Sequence, residues 1–203
     1  MSNEILYLLL PDYAAHEVVY LAQAIASDEY ALKENPRYVN KVVAPTLEPV
    51  RSIGGFRTVP DYSFETIPGD YAALVLVGGF GWATPVADQV VPIVRQAIEN
   101  GKIVGAICNG ASFMAKCGFL NSVRHTGNGL EQLQSWGGEN YTNPERYVNS
   151  QAVTDKNIVT ANGSATLEFA RELLLLLEND TPERIEMYYQ FNKQGFCALF
   201  SNC

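Results

Sequence analysis

Gly101-Lys102-Ile103-Val104-Gly105-Ala106-Ile107-Cys108-Asn109-Gly110-Ala111-Ser112 is the stretch whose reading decides the fold. Ile103 to Ile107 is apolar or small at every position, as a strand covered on both faces requires. Cys108 stands at the sharp turn out of that strand, and a helix begins at about Asn109. Ala106 and Gly110 lie two residues to either side of Cys108. A nucleophile elbow needs small residues there, because the turn is too tight for larger side chains. The amides and dipole at the helix start point at the sulfur and favour the thiolate over the thiol. A small buried residue ending a core strand would look the same over this stretch alone.

Working outward, two more strands end in groups that carry chemistry. Ala73 to Val77 is fully apolar and runs into Gly78-Gly79-Phe80-Gly81-Trp82. A glycine pair at a strand end leaves backbone amides bare, and such amides can serve as an anion or oxyanion site; a tight βα turn with no ligand would read the same. No Gly-Lys-Ser/Thr follows and the GxGxxG spacing is absent, so this is no phosphate loop. Ile5 to Leu10 is a continuous apolar run closed by Pro11-Asp12, with Asp12 expected to cap a helix from Tyr13 to about Ser27. Glu17 falls in the first or second turn of that helix, just past the strand end. An acid, a pair of bare amides and a sulfur at three strand ends are the set a nucleophile directed at a carbonyl needs.

The remaining chain fills in an α/β pattern. Tyr38 to Ala44 reads as a strand, and Glu48 to Ser52 with Phe56 to Val59 as a small hairpin around Ile53-Gly54-Gly55. Pro60 to Tyr71 reads as loop, and Asp88 to Asn100 as a helix with Pro92 in its first turn. Ala111 to Cys117 is a short helix closed by Gly118, and Val123 to Thr126 a short strand. Leu130 to Trp136 is helical, Tyr141 to Tyr147 a polar loop, and Gln151 to Thr154 and Asn157 to Ala161 are strands joined at Asp155-Lys156. Ser164 is the expected cap of a helix from Ala165 to Leu177, and Thr181 the cap of a last helix with Pro182 at its first position. An apolar tail, Phe196 to Phe200, is expected to pack on the body or on a partner. The order predicts an open, mostly parallel sheet with helices on both faces, its site beyond the C-terminal strand ends.

At 203 residues and 47% hydrophobic content, the chain reads as a single domain spanning 1–203 with a full core. A net charge of −8 argues against nucleic acid or an anionic membrane surface as partner. No signal peptide and no bilayer-length apolar run is found, which points to a cytoplasmic protein. The four cysteines, Cys108, Cys117, Cys197 and Cys203, form no CxxC pair and read as thiols. With only two histidines, His16 and His125, no metal site and no cofactor is expected. His16 adjoins Glu17, but neighbouring helix residues point about 100° apart, which sets it outside the site.

Four stretches carry a resemblance. Leu9-Leu10-Pro11-Asp12-Tyr13-Ala14-Ala15-His16-Glu17, Val77 to Trp82, Ala106 to Ala111 and Val159-Thr160-Ala161-Asn162-Gly163-Ser164 resemble the ThiJ/PfpI family of the class I glutamine amidotransferase-like superfamily, over nearly the whole chain. The resemblance implies a flavodoxin-like three-layer α/β sandwich, mostly parallel, with the small β-hairpin as an excursion, and commonly a homodimer. It implies that Cys108 is the elbow nucleophile in a strained backbone conformation and that Glu17 is its partner acid, protonated and bonded to the sulfur. It further implies that the amides of Gly79 and Asn109 form the oxyanion pocket. Three departures matter. No histidine follows His125, which argues against a glutaminase triad. Asn109 stands where the protease-like branch has a histidine, which argues against peptidase activity. Some members bring a histidine to the elbow from the next strand, and either His125 or Asn128 takes that place here.

The expectation from sequence is therefore a cysteine-dependent enzyme acting on a small carbonyl or amide substrate, glyoxalase-like or amidase-like. Cys108 attacks, Gly79 and Asn109 hold the oxyanion, Glu17 shuttles a proton, and His125 is a candidate base. Tyr13, Phe80 and Trp82 are the candidate pocket walls. The alternatives are a redox or stress-response protein in which Cys108 is an oxidation sensor held by Glu17, and a non-catalytic binding subunit.

Overall fold

The computed structural model describes residues 3–27 and 33–199. Its strands are β1 (Glu4–Leu8), β2 (Val39–Ala44), β3 (Val50–Arg51), β4 (Arg57–Thr58), β5 (Tyr62–Ser63), β6 (Ala73–Leu76), β7 (Ile103–Ile107), β8 (Ala152–Asp155) and β9 (Ile158–Ala161). Its α-helices are α1 (Val19–Ala26), α2 (Val91–Glu99), α3 (Asn109–Lys116), α4 (Leu130–Gly137), α5 (Thr166–Leu176), α6 (Pro182–Gln194) and α7 (Phe196–Leu199). Among the described residues, one sheet runs β5-β2-β1-β6-β7-β9-β8, and β3-β4 forms a separate antiparallel pair. Every pairing in the large sheet is parallel except β8 with β9.

The central strands are buried along their whole length. Leu74, Leu76, Val104 and Ala106 face one layer; Ala73, Val75 and Ile107 face the other. The first layer is closed by α2, α3 and α4 through Val94, Phe113 and Leu133. The second is closed by α1, α5 and α6 through Leu21, Phe169 and Ile185. This is the expected three-layer α/β sandwich. The strand order reverses between β1 and β6, the place where open α/β sheets put their ligands.

Several local expectations change. Asp12 is not a helix cap; it sits at φ 59°, and the first helical residues are a 3₁₀ turn, Ala15–Glu17, ahead of α1. The helix starts late because the backbone on either side of Tyr13 is already engaged. Ala14 N–H donates to Gly78 O at 2.9 Å and Tyr13 O accepts from Ile53 N–H at 2.9 Å. The segment predicted as loop contains β5, paired to the edge of β2. The Val123–Thr126 segment is not a strand: it makes a single bridge, His125 to Tyr147. Helix α2 is preceded by a 3₁₀ segment, Pro85–Val90, and Pro92 lies in its first turn as expected.

Ser164 does not cap α5, whose cap position is Ala165; its hydroxyl donates instead to Asn162 Oδ1 at 2.6 Å. Thr181 does cap α6, accepting from Arg184 N–H. At the start of the C-terminal tail, Phe196 leans edge-on against Phe191 of α6 and stays 57% exposed; Phe200 lies outside the described residues. Cys108 and Cys117 are free thiols, whereas Cys197 is disulfide-bonded, which departs from the all-thiol reading; Cys203 lies outside the described residues.

Candidate active site

The elbow forms as the flanking residues require. Cys108 has φ 58° and ψ −125°, and its N–H is fixed to Ala161 O at 2.9 Å. Positive φ is rare for a residue with a Cβ and costs about 1–3 kcal/mol, a strain that collects at functional sites. A methyl at Gly110 would come 2.7 Å from Leu76 O, so only glycine lets α3 leave the strand so steeply.

Glu17 reaches the sulfur from the opposite side. Its side chain is 2% exposed, carried by the 3₁₀ turn after β1. One oxygen, Oε2, accepts the Gly78 N–H at 2.8 Å, and the carboxyl is hydrogen-bonded to Cys108. Gly78 is the spacer between them: a methyl there would run into Glu17 Oε2 and lie 2.6 Å from Cys108 Cβ. Gly163, after β9, closes the other side; a methyl on it would lie 2.9 Å from Cys108 Sγ and 3.3 Å from Glu17 Oε1. Gly78→Ala is therefore expected to destabilise the fold by about 1–3 kcal/mol through overpacking and to prise Glu17 from the sulfur. Chemical denaturation and Cys108 alkylation kinetics, both unchanged from wild type, would sink this account.

The loop before α4 supplies a further donor. Asn128 Oδ1 accepts the Gly163 N–H at 2.9 Å, which turns the amide so that Nδ2 faces Cys108 Sγ at 3.4 Å. The sequence left the choice between Asn128 and His125 open; Asn128 takes the place. His125 is fully buried, with Nδ1–H donating to Val123 O at 2.9 Å and Nε2 accepting the Tyr141 hydroxyl at 2.6 Å. Burial holds it below the usual histidine range, in the neutral form. Its ring is committed to these partners, so the geometry does not place it beside the sulfur as a base.

The other candidates divide. The Asn109 N–H is directed at the Cys108 sulfur, and its side-chain Nδ2 donates to Gly79 O at 2.9 Å. Gln132 holds the Asn109 Oδ1 at 3.0 Å. Gly79 lies at φ 133°, and a side chain there would also collide with the backbone of Asp12 and Tyr13. Its N–H donates to no protein acceptor among the described residues. Trp82 is not a pocket wall: its Nε1–H donates to Val77 O at 2.6 Å, and its ring packs on Phe113 in the core. Tyr13 is buried with its hydroxyl on Thr58 Oγ1 at 2.6 Å, while Phe80 is 63% exposed beside Gly79.

The electrostatics of the pair are set by burial. Burial pushes the Glu17 carboxyl above the usual range, against the pull of its bonds to Cys108 and Gly78. Burial also pushes the Cys108 thiol up, and a Glu17 carboxylate would push it further; the Asn128 amide and the Asn109 N–H pull it down. The helix terminus alone favoured a thiolate, and the buried acid opposes it. Asn128→Ala removes one of the two donors, so the inflection in Cys108 alkylation against pH is expected to rise; an unmoved or lower inflection would exclude Asn128 as a sulfur donor.

Asn128 and Gly163 also line a cleft of about 580 Å³, bordered by the 127–129, 147–151 and 162–164 loops. Among the described residues, no group of three or more His, Cys, Asp or Glu side chains is gathered to hold a metal ion. Among them too, no helix is long and apolar enough to cross a membrane.

Comparison with known proteins places the chain among relatives. The DJ-1/PfpI family model matches residues 3–176. The chain is 38% identical over 201 residues to a Bacillus subtilis protein named "Uncharacterized protease YdeA", covering 97% of this chain and 96% of that one. It is 23% identical over 140 residues to the "Glutathione-independent glyoxalase DJR-1.2" of Caenorhabditis elegans, covering 68% of this chain and 71% of that one. Among solved structures, a thiJ/pfpI family protein from Bacillus anthracis superimposes with a TM-score of 0.90 at 29% identity, covering 99% of this chain and 95% of that one.

Proposed function

Because the chain belongs to the DJ-1/PfpI family, we propose that it is a cysteine-dependent enzyme acting on small carbonyl or amide compounds, with Cys108 as nucleophile and Glu17 as proton shuttle. The observation that carries this reading is the buried pair itself: a strained elbow sulfur hydrogen-bonded to a carboxyl that also accepts the Gly78 N–H. A structural cysteine needs neither the strain nor the buried acid, and both cost stability.

In the reaction, the sulfur adds to the electrophilic carbon while the thiol proton passes to Glu17 in its carboxylate form. The oxygen that gains charge is taken by the N–H groups of Gly79 and Asn109. Gly79 N–H is the open donor; Asn109 N–H turns from the sulfur to the oxygen two bonds away. Glu17, now the neutral acid that burial favours, then returns the proton to the oxygen or to a leaving amine. A 2-oxoaldehyde is the first substrate to try, supported by the glyoxalase name of the nematode relative. The absence of a histidine at the elbow argues against the peptidase chemistry in the name of the Bacillus subtilis relative.

The test is turnover of methylglyoxal and of a simple amide panel by wild type and Cys108→Ala. Turnover by wild type alone supports the reading; equal turnover, or none by wild type, sinks it. The oxidation-sensor reading draws on the same pair, since a protonated Glu17 donates to a sulfinic acid at Cys108 as well as to a thiolate. Selective oxidation of Cys108 at low peroxide, with no turnover of any substrate, would favour the sensor. A cytoplasmic homodimer belongs to the proposal, supported by exposed apolar side chains on the hairpin, Ile53, Phe56 and Val59; sedimentation of the free protein tests the dimer.

A further inference from the structure

The cleft beside Cys108 is larger than a three-carbon substrate needs. Its volume of about 580 Å³ lies within the usual range for small-molecule sites, about 300–1,000 Å³. It abuts the sulfur through Asn128 and Gly163. The rest of its wall carries hydroxyls and primary amides, chiefly Tyr147, Asn149, Gln151, Asn162 and Ser164, and no lining side chain bears a formal charge.

Part of this polar wall is satisfied internally. Asn162 Nδ2 donates to Gln151 Oε1 at 2.6 Å, and Ser164 Oγ to Asn162 Oδ1 at 2.6 Å. The rest is open. Among the described residues, the Tyr147 hydroxyl, the Asn149 side-chain amide and Gln151 Nε2 have no protein partner. Beyond Ser150 and Gln151 lies a second recess of about 220 Å³ that does contain charges. Those charges are engaged: Arg171 holds Glu172 at 2.8 Å and Glu186 at 2.6 Å, and Lys193, from outside the recess lining, holds Glu168 at 2.6 Å.

These facts select a ligand. An anionic substrate finds no cation in the cleft. A hydrocarbon would strip water from the open amides without replacing its hydrogen bonds. A chain of hydroxyls, each both donor and acceptor, satisfies them. We propose that the cleft holds the polyhydroxylated tail of a neutral, sugar-derived carbonyl compound, with its carbonyl end at Cys108.

The proposal rests on the carbonyl reading given above. At the sulfur, the S–H of Cys108 adds across the aldehyde C=O. A C–S bond forms, the C=O π bond breaks, and the thiol proton reaches the former carbonyl oxygen by way of Glu17. Nothing is oxidised or reduced.

The experiment compares three compounds with one reacting end: methylglyoxal, D-glucosone and D-glucosone 6-phosphate, all 2-oxoaldehydes. Their disappearance is followed with wild type, Cys108→Ser and Gln151→Ala. The expected result is a KM at least about tenfold lower for D-glucosone than for methylglyoxal, the equivalent of about 1.4 kcal/mol, with no such advantage for the phosphate. In Gln151→Ala the ratio of the two KM values is expected to fall toward one. Equal KM values in wild type, or a preference for the phosphate, would overturn the cleft assignment while leaving the carbonyl reading in place. Consumption of none of the three by wild type, or undiminished consumption by Cys108→Ser, would overturn both.

Discussion

Glu17→Gln is expected to make Cys108 easier to ionise and, in the same protein, to remove turnover by about 10²- to 10⁴-fold, the usual range for loss of a positioned proton carrier. The two effects have opposite signs for one reason. A carboxylate at residue 17 raises the sulfur's pKa, both by its charge and by its hydrogen bond. Gln is isosteric, can still accept the Gly78 N–H and can never be negative, so the alkylation inflection should move to lower pH. It also cannot carry a proton, so the adduct cannot be completed. Alkylation rates against pH and steady-state turnover read the two effects separately. An inflection that held or rose would mean that the sulfur does not feel Glu17; retained turnover would remove Glu17 from the proton path.

Stability gives the same substitution a third readout. Burial raises the Glu17 pKa in the folded protein above the ordinary carboxyl value of 4.5. The folded state therefore binds more protons than the unfolded chain between those two values, and stability falls as pH rises through that window. The carboxyl's full stabilising contribution is present only below the unfolded value. Glu17→Gln has no such window and should melt at a higher temperature than wild type at neutral pH, the gap closing below about pH 4.5. A variant less stable at neutral pH would contradict the buried-acid account.

Cys108→Gly is expected to abolish turnover, by more than about 10³-fold as befits a lost nucleophile, while leaving stability within about 1 kcal/mol of wild type. Glycine adopts φ 58° without penalty, which returns about 1–3 kcal/mol of backbone strain. Against this stand the lost burial of a small side chain and the glycine entropy cost, about 0.5–1 kcal/mol for the latter. These nearly cancel, whereas glycine in an unstrained buried position would only destabilise. Denaturant titration of Cys108→Gly beside Cys108→Ala decides it: the glycine variant should be the more stable of the two. If the alanine variant is more stable, the elbow is not strained.

The parts legible in the sequence were those fixed by short-range packing. Ile103 to Ile107 had to be a central strand because nothing in it tolerates water, and Gly110 announced the steep exit at Cys108. Glu17 and Gly78-Gly79 could be placed at C-terminal strand ends from chain order alone. What escaped depended on long-range partners. Asp12 looked like a cap until Gly78 and Ile53 took the backbone around Tyr13. Trp82 looked like a pocket wall because nothing local shows that Val77 O waits for its indole N–H. The choice between His125 and Asn128 hung on a loop three residues long, and the Tyr141 hydroxyl decided it from a different loop. Strand β5 has only two residues and no apolar pattern to betray it.

The backbone around Tyr13 ties together segments far apart in the chain. Asp12 N–H donates to Arg51 O, Ile53 N–H to Tyr13 O, Ala14 N–H to Gly78 O, and Phe80 N–H to Asp12 O. These bonds cross three chain segments at one point, like a stitch through three plies of cloth. None can open far without loosening the others, so the four amides should exchange their hydrogens with solvent as one cooperative unit. The hairpin, on the outside of the molecule, is thereby made a guard on the Gly79 amide inside it. A lengthened or nicked hairpin would unpick the proposed oxyanion pocket before it disturbed the sheet.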